Sequence, residues 1–205
     1  LDESKHECSK NEGSPHDDAM EEIEEGVEHF LNIAAPDSKY TKYHVAVNPH
    51  QEDRASDIPL YDFSRPHMRA FHLAWLSFFV AFFTWFAMTP LLGEIARSLD
   101  LSREEIWTSS VLAVSSSALT RIVMGPLNDR YGARWVMAGT LVAAAIPTGM
   151  AGLVDSVAGL YVVRLLIGVA GSAFVTCQYW TSCMFMMEIA GTANALAAGW
   201  GNMGG

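Results

Sequence analysis

The sequence has few cysteines, no lysine after Lys42, and almost no charge of either sign over its last two thirds. Its three cysteines, Cys8, Cys177 and Cys183, offer neither a disulfide framework nor paired metal-ligand spacing, so they read as small packing residues and no metal site is expected. The first twenty residues are polar and acidic and lack the basic-then-apolar order of a cleavable signal peptide. No Ser/His/Asp or Cys/His constellation is present, and all seven histidines lie at or before His72. An enzyme is therefore not expected, nor a cofactor, nor a nucleic-acid partner.

What the chain does have is strongly divided. Residues 1–70 hold 16 of the 23 acids and 7 of the 13 bases, whereas residues 71–205 hold 7 acids and 6 bases, all of them arginine. Residues 1–40 bury too little apolar surface to offset their chain entropy and read as a mostly disordered acidic tail. Within that tail, residues 17–33 have the spacing of one amphipathic helix. The tail offers a surface for an accessory protein, or phosphorylatable serines at Ser4, Ser9, Ser14 and Ser38. Residues 40–62 form an irregular lead-in broken by Pro49 and Pro59. The domain boundary is accordingly expected near residue 70, with a partial transmembrane bundle over 71–205.

A helix of ~20 residues crosses a ~30 Å hydrocarbon layer. Uncharged or nearly uncharged runs predict spans at about 72–93, 106–126, 135–154, 158–183 and 190–205, the last one unfinished at Gly205. The chain also begins without Met, and both ends point to a piece of a longer protein. Arg65 and Arg69 precede the first span, and Arg130 and Arg134 sit between the second and third. The 3–4 and 4–5 loops carry no base. This bias places the N-terminus and the 2–3 turn in the cytoplasm.

Arg121 is the sharpest single signal, because an arginine inside a span costs ~2.5–3.5 kcal/mol on insertion scales. Ser110, Ser117, Arg121 and Gly125 share one helical face, and such a polar stripe suits a water-filled path. The other reading is that Arg121, three residues before Met124, snorkels to the cytoplasmic edge. Next comes GPLNDRYGAR, residues 125–134. Gly125-Pro126 is expected to close one helix, Gly132 to allow a positive φ, and Asp129, Arg130 and Arg134 to pair with neighbouring charges or helix ends.

This pattern, G-x-L-x-D-R-x-G-x-R, resembles the loop between helices two and three of the major facilitator superfamily. The resemblance implies an all-α membrane protein of twelve helices in two halves, of which this chain carries about four and a half from the N-terminal half. It also implies that Asp129 and Arg130, with Gly125, Gly132 and Arg134, form a gating loop. Arg164 followed by Gly168 resembles a fourth-helix pattern of the same superfamily, though an interfacial snorkelling arginine fits it equally.

AGWGNMGG, residues 198–205, adds a stripe of small residues, Ala193, Ala197, Gly201 and Gly205, that lets another helix approach. GWGNMG resembles the fifth-helix motif of the nitrate–nitrite porter family. Residues 65–79, 174–180 and 191–195 are similar to its eukaryotic high-affinity nitrate transporters. The resemblance covers roughly residues 40–205. It implies that Arg121 binds the anion, that Phe82 and Phe174 flank it, and that Asn202 with Gly199, Gly201 and Gly204 completes this half of the site. A planar, permanently charged guanidinium donating two parallel hydrogen bonds suits planar nitrate better than an ammonium does. The implied activity is uptake of nitrate, and of nitrite, by proton symport with alternating access across the plasma membrane. A nitrite-preferring porter, a nitrate/nitrite exchanger and a non-transporting nitrate sensor are the alternatives. Glu94, Asp129, Asp155 and Glu188 all fall at span ends, so no proton carrier is identified.

Overall fold

Side chains that are apolar on all sides leave a helix nowhere to go but a packed core or a lipid layer, and the helices here follow that rule. The computed structural model describes residues 43–205. The stretch 17–33, Cys8 and the four tail serines lie outside the described residues. Among the described residues, four helices are long and apolar enough to cross a membrane, His67–Phe86, Arg103–Tyr131, Ala133–Leu153 and Val157–Met184. Large apolar side chains such as Leu119, Ile122, Trp135 and Val162 are exposed on their outer faces. The chain is a multi-pass membrane protein.

The first span is α1, His67–Phe86. It starts and ends earlier than the uncharged run predicts. Thr89 and Pro90 fall in turns after Phe86, and the chain then forms the short helix α2, Leu92–Ser98. A count of uncharged residues cannot register that break, whereas a proline, which lacks an N–H, favours it.

The second span, α3, is Arg103–Tyr131, 29 residues long. A capping box starts it: the Ser102 hydroxyl accepts from the Glu105 N–H, and the Glu105 carboxylate accepts from the Ser102 N–H. Gly125-Pro126 does not close this helix. Pro126 lies inside it, and the turn comes at Gly132, whose φ of 79° and ψ of 146° favour glycine. Interior prolines are tolerated in membrane helices where neighbours support the freed backbone.

The third span, α4, is Ala133–Met150, followed by a 3-10 turn at Ala151–Leu153. The fourth is continuous in direction but made of three pieces: α5, Val157–Ile167; a 3-10 segment, Gly168–Ser172; and α6, Ala173–Met184. Then α7, Met187–Asn202, begins three residues before the expected fifth span. Its stripe of Ala193, Ala197 and Gly201 is buried, with α1 close against it.

Order also extends further toward the N-terminus than a boundary at residue 70 implies. Strands β1 (Val47–Asn48) and β2 (Arg54–Ala55) pair antiparallel. Ala55 bridges to Phe185, and the Ala55 carbonyl accepts from the Met186 N–H at 3.0 Å. Gln51 donates from Nε2 to both Glu188 carboxylate oxygens (3.0 and 3.1 Å), and its Oε1 accepts from the Met187 N–H at 3.0 Å. Residues 43–66 thus form a strap whose polar groups bond the turn between α6 and α7. Within it, the Ser64 hydroxyl and N–H hold the Asp62 carboxyl below the usual carboxylate range. The core is continuous from strap to bundle: Val45, Ala55, Phe71, Phe78, Phe185 and Ala197 belong to one buried cluster.

Candidate functional site

The depth of Arg121 follows from the length of its helix. Tyr131 ends α3 roughly 15 Å beyond Arg121, and Arg103 begins it roughly 27 Å before, at 1.5 Å per residue. Arg121 therefore sits nearly three turns before the C-terminal end of α3. Its guanidinium donates from Nε (3.3 Å) and Nη2 (3.1 Å) to one acceptor, the carbonyl oxygen of Gly171. Its Cζ lies 5.8 Å from the centre of the Phe174 ring, within cation–π range. The residue is exposed on the open face of the bundle.

The aromatic residues continue from there. Phe174 meets Phe78 edge-on at 5.6 Å, and Phe78 meets Phe82 at 4.4 Å. Phe82 and Phe174 are half-buried. Phe78 links the two. It is also the ring against which Gly201 rests, and a Cβ on Gly201 would collide with it. Gly204 lies equally close to the Phe79 carbonyl. Gly199 faces open space, and Asn202 is exposed in the last turn of α7. Arg121, Phe174, Phe82 and Gly201 are thus brought into one connected group, with Gly204 against α1 beside it. Among the described residues, no hydrogen bond or ring contact ties Asn202 or Gly199 to that group.

Part of the serine-rich surface of α3 is used for packing. Ser109, Ser116 and Ser117 are buried, and two of them meet glycines of the 3-10 segment. A Cβ on Gly168 would strike the Ala113 carbonyl and lie 2.9 Å from the Ser116 Cβ, and one on Gly171 would strike the Ser117 hydroxyl. Small residues here let two helices approach closely. Ser110 accepts from Arg164 Nη2 at 3.0 Å. Arg164 is only 5% exposed and its Nε has no partner, so it does not snorkel to an interface.

Near the C-terminal end of α3, Gly125 has free space around it, and in the turn that follows Gly132 supplies the positive φ. Arg130 lies over the adjacent Tyr131 ring at 5.7 Å. Asp129 interacts with Tyr179 of α6. Asn128, unmarked by the sequence reading, is 1% exposed and donates to the Thr176 hydroxyl at 3.3 Å. Among the described residues, Asp129, Arg130 and Arg134 make no ion pair. Cys177 is a buried free thiol in the core and Cys183 is exposed.

Comparison with known proteins gives the same fold family. The family model for the Major Facilitator Superfamily matches residues 74–205. The chain is 38% identical over 154 residues to high affinity nitrate transporter 2.5 of Arabidopsis thaliana, covering 75% of this chain and 31% of that protein. It is 40% identical over 154 residues to nitrate transporter 2.1 of Chlamydomonas reinhardtii, covering 75% and 28%. It is 32% identical over 133 residues to the nitrate/nitrite transporter NrtP of Picosynechococcus, covering 65% and 25%. The chain spans less than a third of the length of each. No solved structure matches. By these matches the chain belongs to the Major Facilitator Superfamily and, within it, to the nitrate–nitrite porter family.

Proposed function

We propose that these residues form part of the N-terminal half of a transporter, not an enzyme, that takes nitrate, and also nitrite, into the cell. The observation that carries this reading is Arg121: a permanent cation roughly 15 Å inside its helix, with an aromatic ring at 5.8 Å and no carboxylate paired to it among the described residues. Such an exposed guanidinium, with no carboxylate beside it, is open to an anion as its counter-charge. A planar monoanion is the partner that a guanidinium fits with two parallel hydrogen bonds. The relatives' names, nitrate transporter and nitrate/nitrite transporter, agree.

In this reading Arg121, Phe82 and Phe174 contact the anion. Gly201 and Gly204 keep α7 close to α1, and Asn202 and Gly199 line the approach. Gly125, Asp129, Arg130, Gly132 and Arg134 gate the cytoplasmic side during alternating access, and the second half of the protein supplies the rest of the site. The N-terminus is cytoplasmic, the membrane is the plasma membrane, and protons are the coupling ion.

The test is Arg121→Lys in the full-length protein, with uptake of labelled nitrate measured against its concentration. The half-saturating concentration should rise at least tenfold, since an ammonium cannot reproduce the fork of donors. Unaltered kinetics would remove Arg121 from the site.

A further inference from the structure

A guanidinium has two edges able to grip a planar ligand, one formed by Nε and Nη2 and the other by the two Nη groups. In Arg121 the first edge is already occupied: both of its nitrogens donate to the Gly171 carbonyl, at 3.3 and 3.1 Å. The Phe174 ring lies near the same group. An anion arriving with this anchor in place has only the outer edge to bind.

The acceptor is unusual in its position. Gly171 sits in the five-residue 3-10 segment Gly168–Ser172 between two α-helical pieces of one span. A 3-10 turn has poorer backbone hydrogen-bond geometry than an α-helix, which favours sharing a carbonyl with a side-chain donor. The segment is also tightly seated. Gly168 lies on the Ala113 carbonyl and Gly171 on the Ser117 hydroxyl, with Trp85 Cζ3 2.9 Å from where a Gly171 Cβ would be. Ser117 is 2% exposed and its hydroxyl has no hydrogen-bond partner. Its contribution at this contact is therefore its small size. Ser117 and Arg121 are one turn apart on α3, so the contact that seats Gly171 lies directly beside the side chain that Gly171 holds.

We propose that Gly171 is a positioning residue for substrate binding: seated against Ser117, its carbonyl takes the Nε/Nη2 edge of Arg121 and presents the outer edge to a planar oxyanion. This rests on Arg121 being the anion ligand. A side chain at Gly171 would push the 3-10 segment away from α3, withdraw the carbonyl and leave the guanidinium free to turn. The anion would then meet an unfixed fork, losing affinity without losing the charge that attracts it.

The experiment uses the full-length protein reconstituted in proteoliposomes, with uptake of labelled nitrate read as KM and maximal rate. Gly171→Ala is expected to raise KM about tenfold with maximal rate within about twofold of wild type. Adding Ser117→Gly, which removes two of the three atoms nearest the new methyl and leaves only the Trp85 ring edge to give way, should recover part of that KM. Ser117→Thr approaches the same contact from α3 and should raise KM in the same way, which keeps the test available if Gly171→Ala does not fold. A wild-type KM in both single variants overturns the proposal. So does a loss of maximal rate with KM unchanged, the pattern of a merely structural residue. Arg121→Lys measured in parallel separates the two readings: wild-type kinetics there overturn the anion site itself, whereas a raised KM there with a wild-type KM in Gly171→Ala overturns only the positioning.

Discussion

At the scale of single residues, side-chain chemistry was readable in advance and backbone chemistry was not. Arg121 stood out in the sequence because charge is rare in an apolar run, but its partner is a carbonyl, which every residue has and no sequence pattern marks. Phe78 was hidden differently, as one of six phenylalanines on a single helix, and only packing singles out the ring that Gly201 touches. That contact carries a prediction. Gly201→Leu places a branched side chain where even a Cβ meets the Phe78 ring, and overpacking of this kind costs about 1–3 kcal/mol or more. Uptake should be lost, with little folded protein surviving detergent extraction in a gel-filtration profile. Gly199→Ala, with nothing within 4 Å, should behave as wild type in the same profile. Wild-type flux in Gly201→Leu would mean that α7 does not pack on α1 as described.

Helix existence and order followed from counting uncharged residues, while helix ends followed from chemistry that the counting omits. The span predicted at 106–126 is in fact Arg103–Tyr131 because a capping box sets its start, Gly132 sets its end, and Pro126 fails to interrupt it. This extension weakens the snorkelling alternative for Arg121, which assumed a helix ending near Met124. The strap at residues 43–66 was legible only as an irregular lead-in, because its partners, Phe185, Met186, Met187 and Glu188, lie more than a hundred residues away. Gln51 is its main side-chain tie to α7, accepting from an N–H in the first turn and donating to Glu188. Gln51→Ala should remove about 1–2 kcal/mol of local stability. Amide hydrogen exchange at residues 187–190 should accelerate about tenfold, while residues 193–201 stay as protected as in wild type. Equal protection in the first turn would show that the backbone bond from Met186 to Ala55 suffices to hold the strap.

For the whole molecule the governing quantity is where charge is absent. Acids concentrate in residues 1–70, and along the spans the residues away from their ends are uncharged except for Arg121 and Arg164. A bundle whose interior charges are both positive favours an anion, but it supplies no group among the described residues that can pick up and release a proton at depth. Energy considerations then constrain the coupling. Moving one charge through ~100 mV is worth ~2.3 kcal/mol, so a nitrate entering a negative cell alone moves uphill by that amount. Entry with two protons carries one net positive charge inward and gains the same amount, whereas one-for-one exchange with nitrite moves no net charge. In a voltage-clamped cell expressing the full-length protein, nitrate added outside should therefore evoke an inward current that grows with hyperpolarisation and with external acidity. Uptake of labelled nitrate with no current at any voltage would instead indicate exchange and leave the anion site as described. Current without labelled uptake would contradict symport altogether, because the charge would then be moving without the anion proposed to bind at Arg121.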